Sequence, residues 1–238
     1  MNGKTIIVTG AAGGLGSALS LCCSRDGFNT VMLDSNRKGL EQAYDRITEA
    51  GYADPALYPL DLAAAGTDDF DEMLDTIETE FGGLDAVVHC AARFEGLSPL
   101  DQVSPPEWLV HMQVNLNAAW LLSVQALPLL RKSSSAQLYF LLEDLPKVEG
   151  SFWGPYGVSK HALKALVSQL AAECGSSGIQ VLGINPGPIR SGLRSRGYHS
   201  ENPASQPDPN PVAEQILQYL NGSTQADGTF VDLQKKED

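Results

Sequence analysis

The sequence predicts one α/β domain built on a doubly wound, parallel sheet of seven strands. Short apolar runs alternate strictly with longer amphipathic segments, which is typical of repeated strand–helix units. The short runs are continuously apolar, as expected for strands that are covered on both faces. The 238 residues, 43% of them hydrophobic, can form one substantial core, and neither a repeat nor a linker divides them.

The elements follow in order from this alternation. Seven short apolar runs predict strands over residues 4–9, 29–33, 56–60, 84–89, 137–142, 179–184 and 229–233. The longer segments between them predict helices over residues 15–26, 37–50, 68–81, 105–131, 155–175 and 212–220. The most apolar stretch, residues 118–130, contains Ser123, Gln125 and Pro128 and is too short to span a bilayer, so it is predicted to be a buried helix.

Charge and cysteine content narrow the function classes. A net charge of −13 argues against nucleic acid or an anionic membrane as the main partner. The four cysteines have neither the spacing of metal ligands nor that of a disulfide framework, and no metal site is predicted. The chain passes from Met1 directly into the first predicted strand without an apolar signal segment, so a cytoplasmic protein is expected.

One stretch of the chain is irregular. Residues 197–211 contain prolines at positions 203, 207, 209 and 211. A Pro-rich segment of this length between elements is either a solvent-exposed connector or a functional lid. Its position after the sixth predicted strand favours a lid over a substrate pocket.

A glycine-rich turn follows the first predicted strand. Residues 9–16 read TGAAGGLG and lie between a strand and a helix. Such glycines allow the backbone to turn tightly and approach a pyrophosphate, which then faces the positive N-terminus of the helix. An ordinary tight turn is the alternative, but the context favours a Rossmann-like dinucleotide site. The expected contact residues are Thr9, Gly10, Gly14, Leu15 and Gly16.

Acidic residues after the next two strands bear on the choice of cofactor. Asp34 follows the second predicted strand, where a carboxylate can accept a hydrogen bond from a ribose hydroxyl and repel a 2′-phosphate. This favours NAD. Asp34 could instead cap a helix, and Arg37 could meet a phosphate, which keeps NADP as the alternative. Asp61 and Leu62, after the third strand, are expected to frame the adenine.

Tyr156 and Lys160 are the candidate proton-transfer residues. In a helix that begins near Pro155 they share one face, with Cβ atoms roughly 5–6 Å apart. A nearby ammonium stabilises tyrosinate and lowers the pKa of the phenol from its usual value of about 10, so that the phenol can exchange protons near neutral pH. Simple packing of Tyr156, with Lys160 reaching to solvent, is the alternative.

Together these residues resemble the short-chain dehydrogenase/reductase family over essentially the whole chain. The family's glycine pattern T-G-x-x-x-G-x-G is similar to residues 9–16, and its catalytic Y-x-x-x-K is similar to Tyr156 and Lys160. Asn115, on the long fourth helix, occupies the place of the asparagine that holds a water near the active-site lysine.

The resemblance extends to two further turns. Pro186 and Gly187 match the turn after the family's sixth strand, and Ser191 stands where a threonine commonly meets the carboxamide of nicotinamide. Residues 89–92 read HCAA where the family has N-N-A-G. Ala91 keeps the small residue that is needed near the cofactor, whereas the next position gains a methyl group.

The resemblance implies an oxidoreductase that transfers a hydride between NAD, with NADP as the alternative, and a small carbonyl or alcohol substrate. Tyr156 would be the general acid/base, Lys160 would lower its pKa and bind the ribose, and Asn115 would position the proton-relay water. The resemblance also implies a homodimer or homotetramer, joined through the helices that begin near Pro105 and Pro155.

The family's catalytic serine is missing. Thirteen residues before Tyr156, where that serine is expected, stands Glu143, followed by Asp144. An ionised Glu143 would raise the pKa of Tyr156, whereas a buried, protonated one could donate to the substrate. Both carboxylates could instead point to solvent. The retained Tyr156, Lys160 and Asn115 favour an enzyme. The substitution at position 143 favours the alternative function, which is that of a catalytically weak or inactive dinucleotide-binding protein acting as a redox sensor or partner subunit.

Overall fold

Seven parallel strands form one sheet in the order β3-β2-β1-β4-β5-β6-β7. The computed structural model describes residues 3–234. The strands are β1 (Thr5–Thr9), β2 (Asn29–Asp34), β3 (Ala56–Pro59), β4 (Ala86–His89), β5 (Gln137–Leu141), β6 (Gln180–Asn185) and β7 (Phe230–Asp232). The strand order runs outward in both directions from the β1–β4 pair, which is the arrangement of a doubly wound fold and confirms the predicted fold class.

Helices cover both faces of this sheet. In chain order they are α1 (Gly14–Arg25), α2 (Arg37–Glu49), α3 (Thr67–Phe81), α4 (Pro105–Met112), α5 (Ala118–Leu130), α6 (Leu145–Val148), α7 (Gly154–Cys174), α8 (Gly192–Gly197) and α9 (Pro209–Leu220). Ile7 packs in the layer of α3, α5 and α7, whereas Ile6 and Val8 pack in the layer of α1, α2 and α9. Alternate strand residues therefore enter opposite cores, which explains why the strand sequences are continuously apolar.

The single helix predicted over residues 105–131 is interrupted. α4 ends at Met112, a π-helical turn covers Gln113–Asn117, and α5 begins at Ala118. Asn115 lies at the centre of this turn and is buried. The apolar periodicity did not predict the interruption, because a π-helical turn changes the hydrogen-bond register of a helix without ending it.

The remaining differences concern short elements and helix ends. α6 and α8 were not predicted, since each has only four to six residues and lacks a periodic pattern. α9 begins three residues before its predicted start, because Asp208 caps it through the N–H of Asn210 and Pro209 occupies its first turn. Within residues 3–234, none of the helices is both long and apolar enough to cross a membrane.

Candidate active site

A cavity of about 650 Å³ opens along the carboxyl ends of the strands. It includes the switch point between β1 and β4, where doubly wound sheets bind their ligands. Most of the predicted site residues line it: Gly10, Gly14, Leu15, Gly16, Asp34, Asp61, Leu62, Ala91, Tyr156, Lys160, Pro186, Gly187 and Ser191. Thr9 and Asn115 do not line the cavity and lie behind its wall.

The glycine turn is packed so tightly that side chains would not fit. Gly10 has a positive φ of 67°, and a Cβ on Gly10 would collide with the backbone of Ala91. A Cβ on Gly16 would collide with the carbonyl oxygen of Gly10. Thr9 fixes the neighbouring turn, since its Oγ1 accepts a hydrogen bond of 3.2 Å from the N–H of Ala91. The result is a bare backbone cradle at the N-terminus of α1, which suits a pyrophosphate.

Asp34 holds the adjacent turn and also faces the cavity. Its Oδ2 accepts from the N–H of Ala12 at 3.0 Å, and its Oδ1 accepts from the N–H of Asn36 at 2.9 Å. Each carboxylate oxygen can accept a second hydrogen bond, so Asp34 retains capacity for ribose hydroxyls. Arg37 is largely exposed and lies 3.9 Å from Glu41, outside the cavity lining.

The turn after β6 closes the opposite side of the cradle. Gly187 has a positive φ of 73°, and its N–H donates to Oδ1 of Asn185 at 3.1 Å. Ser191 caps α8 by accepting a hydrogen bond of 3.1 Å from the N–H of Arg194. The backbone of this turn lies so close to Gly14 that a Cβ on Gly14 would press against the carbonyl oxygen of Arg190.

Tyr156 and Lys160 project together from α7 into the cavity and are almost fully buried. Lys160 donates its Nζ proton to the carbonyl oxygen of Leu141 at 2.8 Å, and burial lowers its pKa to about 8, against the opposing effect of Glu143. Burial and then Glu143 raise the pKa of Tyr156 well above its usual value. In this arrangement of side chains burial and Glu143 outweigh the expected lowering of the Tyr156 pKa by Lys160, and the general acid/base role of Tyr156 stays a prediction.

Glu143 lies where the sequence predicts the missing serine. It lies two residues after the end of β5, lines the cavity and accepts the phenol proton of Tyr156 at its Oε2, with a distance of 2.9 Å. Its Oε1 accepts from the N–H of Asp144 at 3.2 Å. Glu143 therefore does not point away into solvent, whereas Asp144 stays outside the cavity lining.

Asn115 connects the cavity wall at Arg93 to α7. Its Oδ1 accepts from the N–H of Arg93 at 2.6 Å, and its Nδ2 donates to the carbonyl oxygen of Arg93 at 3.0 Å and to Oγ of Ser159 at 2.9 Å. Both amide hydrogens are thus used within the protein. The predicted water contact of Asn115 stays a prediction, and its observed contacts are those of a positioning residue.

The far end of the cavity has an aromatic wall that was not predicted. The ring centroids of Phe94 and Tyr156 are 4.8 Å apart, those of Phe94 and Trp153 are 5.4 Å apart, and those of Trp153 and Tyr198 are 5.7 Å apart. Gly197 packs against Phe94 and Trp153, since a Cβ there would approach both rings. No sequence spacing marks this wall, because Tyr156 belongs to α7 whereas Phe94, Trp153 and Tyr198 come from separate parts of the chain.

Three arginines also line this end, and each has a carboxylate partner. The pairs are Arg93–Glu95 at 2.6 Å, Arg196–Glu95 at 3.6 Å and Arg194–Glu201 at 2.8 Å. Of the predicted lid at residues 197–211, Gly197 and Tyr198 contact the cavity, and the residues just before them contribute more of the lining. A lid function for 197–211 stays a prediction.

Comparisons with known proteins identify the family. A family model described as short chain dehydrogenase matches residues 4–202. YciK, an uncharacterized oxidoreductase of Escherichia coli, is 30% identical over 203 residues, which are 85% of this chain and 80% of that protein. A solved structure from Pseudomonas syringae superposes with a TM-score of 0.90 at 32% identity, covering 97% of this chain and 94% of that one.

A second solved structure, from Shigella flexneri, is complexed with NADP. It has a TM-score of 0.92 and 28% identity, and the match covers 99% of this chain and 98% of that chain. The family model spans most of the chain, and the fold agrees with that of the solved structures. This chain therefore belongs to the short-chain dehydrogenase family and is an oxidoreductase of that family.

Proposed function

We propose that this chain uses a nicotinamide dinucleotide to transfer a hydride to a carbonyl carbon, or from an alcohol carbon, of a small substrate. The observation that carries the proposal is that Tyr156 and Lys160 share one cavity with the glycine turn. When bound, the nicotinamide ring would supply the hydride in reduction and accept it in oxidation. The turn at Gly10 and Gly16 fits such a cofactor, because it lines the cavity at the N-terminus of α1.

The chain's own residues would move the proton and hold the reactants. In reduction the phenol of Tyr156 donates its proton to the carbonyl oxygen, and in oxidation it takes the proton back from the alcohol. Lys160, buried four residues along the same helix, would counter the charge of tyrosinate and donate to a ribose hydroxyl. Asn115 positions the wall at Arg93 against α7, while Ser191 lies at the turn expected to meet the carboxamide.

We favour NAD as the cofactor, with NADP as the alternative. Asp34 faces the cavity and would repel a 2′-phosphate, which supports NAD. The relative from Shigella flexneri was solved with NADP, and Arg37 is exposed next to Asp34, which supports the alternative. Calorimetric titration should show tighter binding of NADH than of NADPH. Asp34→Ala should reduce the ratio of the two dissociation constants. Tighter NADPH binding, lost in Arg37→Ala, would overturn this choice.

We also propose that the chain forms a homodimer or homotetramer. Large apolar side chains are exposed on the helices that were expected to join subunits: Leu109 on α4 is 65% exposed, Trp120 on α5 48%, and Val158 on α7 43%. A subunit interface over these helices would bury the three side chains, which supports the proposal. A cytoplasmic location remains part of the proposal, as does a small-molecule partner rather than nucleic acid.

The alternative function is a dinucleotide-binding redox sensor or partner subunit with little catalysis. The hydrogen bond between Tyr156 and Glu143 favours this alternative, because the phenol donates to the carboxylate the proton that catalysis would require. A turnover screen separates the two functions: ketones and aldehydes with NADH and NADPH, and alcohols with the oxidised cofactors, beside a cofactor titration. Turnover that is lost in Tyr156→Phe supports the enzyme. Tight cofactor binding with no turnover in the screen supports the sensor.

A further inference from the structure

Glu143 is a carboxylate at the substrate end of the cavity that has no ion-pair contact within the described residues, and Lys160 acts on it electrostatically without such a contact. The cavity's arginines are already paired with Glu95 or Glu201. Lys160 directs one of its Nζ protons to the backbone carbonyl of Leu141 and forms no hydrogen bond with Glu143. A half-buried carboxylate beside the reacting atoms therefore stays available to a positive group from outside the chain.

The hydrogen bonds of Glu143 also favour a donor from the substrate. In the structure Oε2 accepts the single phenol proton of Tyr156. If Tyr156 turns that proton to a substrate carbonyl, Oε2 loses this donor, and a half-buried carboxylate oxygen then favours a new one. A substrate that carries a hydrogen-bond donor beside its carbonyl would replace the lost contact.

We propose that the substrate is a carbonyl compound with a protonated amine on the neighbouring carbon or, in the reverse direction, a vicinal amino alcohol, and that Glu143 binds the ammonium. This inference rests on the proposed function and specifies its substrate. The amine and the carbonyl oxygen of such a compound lie within hydrogen-bond distance of each other, as do Oε2 of Glu143 and the phenol oxygen of Tyr156. The two pairs are complementary: Tyr156 donates to the carbonyl oxygen, and the ammonium donates to Glu143. The nitrogen is unchanged in the reaction.

The ammonium would supply the stabilisation that the missing serine gives. Negative charge develops on the carbonyl oxygen during reduction, and an ionised Glu143 opposes that charge. An ammonium bound between Glu143 and the carbonyl oxygen reduces the repulsion between the two negative charges and stabilises the charged oxygen. Burial and Glu143 both raise the pKa of the Tyr156 phenol. The same cation counters the part that is due to Glu143. A neutral ketone provides neither effect.

The aromatic wall indicates which probe to use. Phe94, Trp153 and Tyr156 surround this end of the cavity, with ring centroids 4.8 to 6.0 Å apart, and form an apolar surface that suits an aryl substituent. α-Aminoacetophenone, α-hydroxyacetophenone and acetophenone share the aryl ketone and differ only in the neighbouring group. The hydroxyl compound controls for hydrogen bonding without charge.

The test measures kcat/KM for the three ketones at pH 7 with NADH and NADPH. Since charge-assisted hydrogen bonds are the strong ones, the unmodified chain should prefer the amino ketone over the hydroxy ketone by about tenfold or more. Glu143→Gln should remove most of this preference. Asp144→Asn makes the same change of charge one residue away, outside the cavity lining, and should keep the preference. An equal or reversed preference in the unmodified chain, or a preference retained in Glu143→Gln, would overturn the proposal.

A binding measurement separates this inference from the proposed function. Calorimetry of phenylethanolamine and phenylethanediol, with protein saturated with oxidised cofactor, should show tighter binding of the amine and loss of that advantage in Glu143→Gln. If no ketone is turned over but phenylethanolamine still binds through Glu143, the proposed function fails and the recognition of the amine stands. Equal binding of both ligands contradicts the recognition, whatever the turnover.

Discussion

At the scale of single residues, Tyr156 and Lys160 have pKa values shifted in opposite directions. Burial lowers the pKa of Lys160 to about 8, whereas burial and Glu143 raise that of Tyr156 well above its usual value. The phenol therefore keeps its proton at neutral pH and shares it with a carboxylate. Carbonyl reduction can use the phenol proton directly, whereas alcohol oxidation requires that the phenol first lose this proton.

The first prediction concerns the proton donor. Tyr156→Phe should lower turnover by about 100-fold or more, since general acid–base catalysis contributes about that much, and should leave cofactor affinity nearly unchanged. Lys160→Ala should weaken both turnover and cofactor binding. Tyr139→Phe is the matched control, because Tyr139 is a buried phenol that donates to Gln180 away from the cavity. Retained turnover in Tyr156→Phe, measured by steady-state kinetics and calorimetry, would refute the assignment.

The second prediction concerns pH. Alcohol oxidation requires tyrosinate, so its rate should rise with pH through the pKa of Tyr156. Glu143 raises that pKa, and Glu143→Gln should therefore move the rising limb of kcat/KM to lower pH. Asp144→Asn should leave the limb in place. The profile of alcohol oxidation against pH is the measurement, and a limb that does not move in Glu143→Gln would mean that the carboxylate does not act on the phenol.

At the scale of elements, the cofactor half of the site could be predicted and the substrate half could not. The glycine turn follows β1 and Asp34 ends β2, so local sequence order locates them. Phe94, Trp153 and Tyr198 meet only because three loops fold over the same strand ends. The π-helical turn at Asn115 depends on hydrogen-bond register, which apolar periodicity does not record.

The close packing of α6 on α7 provides the third prediction. A Cβ on Gly157 would collide with the carbonyl oxygen of Val148, and α6 begins two residues after Glu143. Gly157→Ala should therefore lower the free energy of unfolding by about 1–3 kcal/mol and reduce turnover, because the strain displaces the segment that carries Glu143. Denaturant unfolding and kinetics measure both effects.

A glycine near the end of the same helical run is the control. Gly175 has helical dihedral angles, and a Cβ there would meet nothing within 4 Å. Gly175→Ala should leave stability unchanged or raise it by up to about 1 kcal/mol, as helix propensity favours alanine. If Gly157→Ala were as stable and active as Gly175→Ala, the packing of α6 would not determine the position of Glu143.

At the scale of the whole molecule, the acidic chain keeps exposed apolar residues on the face formed by α4, α5 and α7. The fourth prediction is that Leu109→Asp combined with Trp120→Asp shifts the sedimentation coefficient from that of an oligomer to that of a monomer, because it places charges in an apolar interface. Thr79→Asp, at an exposed position on α3, adds charge elsewhere and should leave the coefficient unchanged. A monomeric unmodified chain would contradict the proposed assembly.

The central claim is that Glu143 occupies the place of the hydroxyl that polarises the carbonyl group, and the most direct measurement is the reduction of a neutral ketone by Glu143→Ser. A serine hydroxyl would donate to the carbonyl oxygen and would release Tyr156 from its carboxylate partner. Loss of one oxyanion donor costs about 100- to 1000-fold in other enzymes, so acetophenone reduction by Glu143→Ser should rise by up to that factor. Asp144→Ser should show no gain. An equal or lower rate in Glu143→Ser, with unchanged cofactor affinity, would contradict the claim.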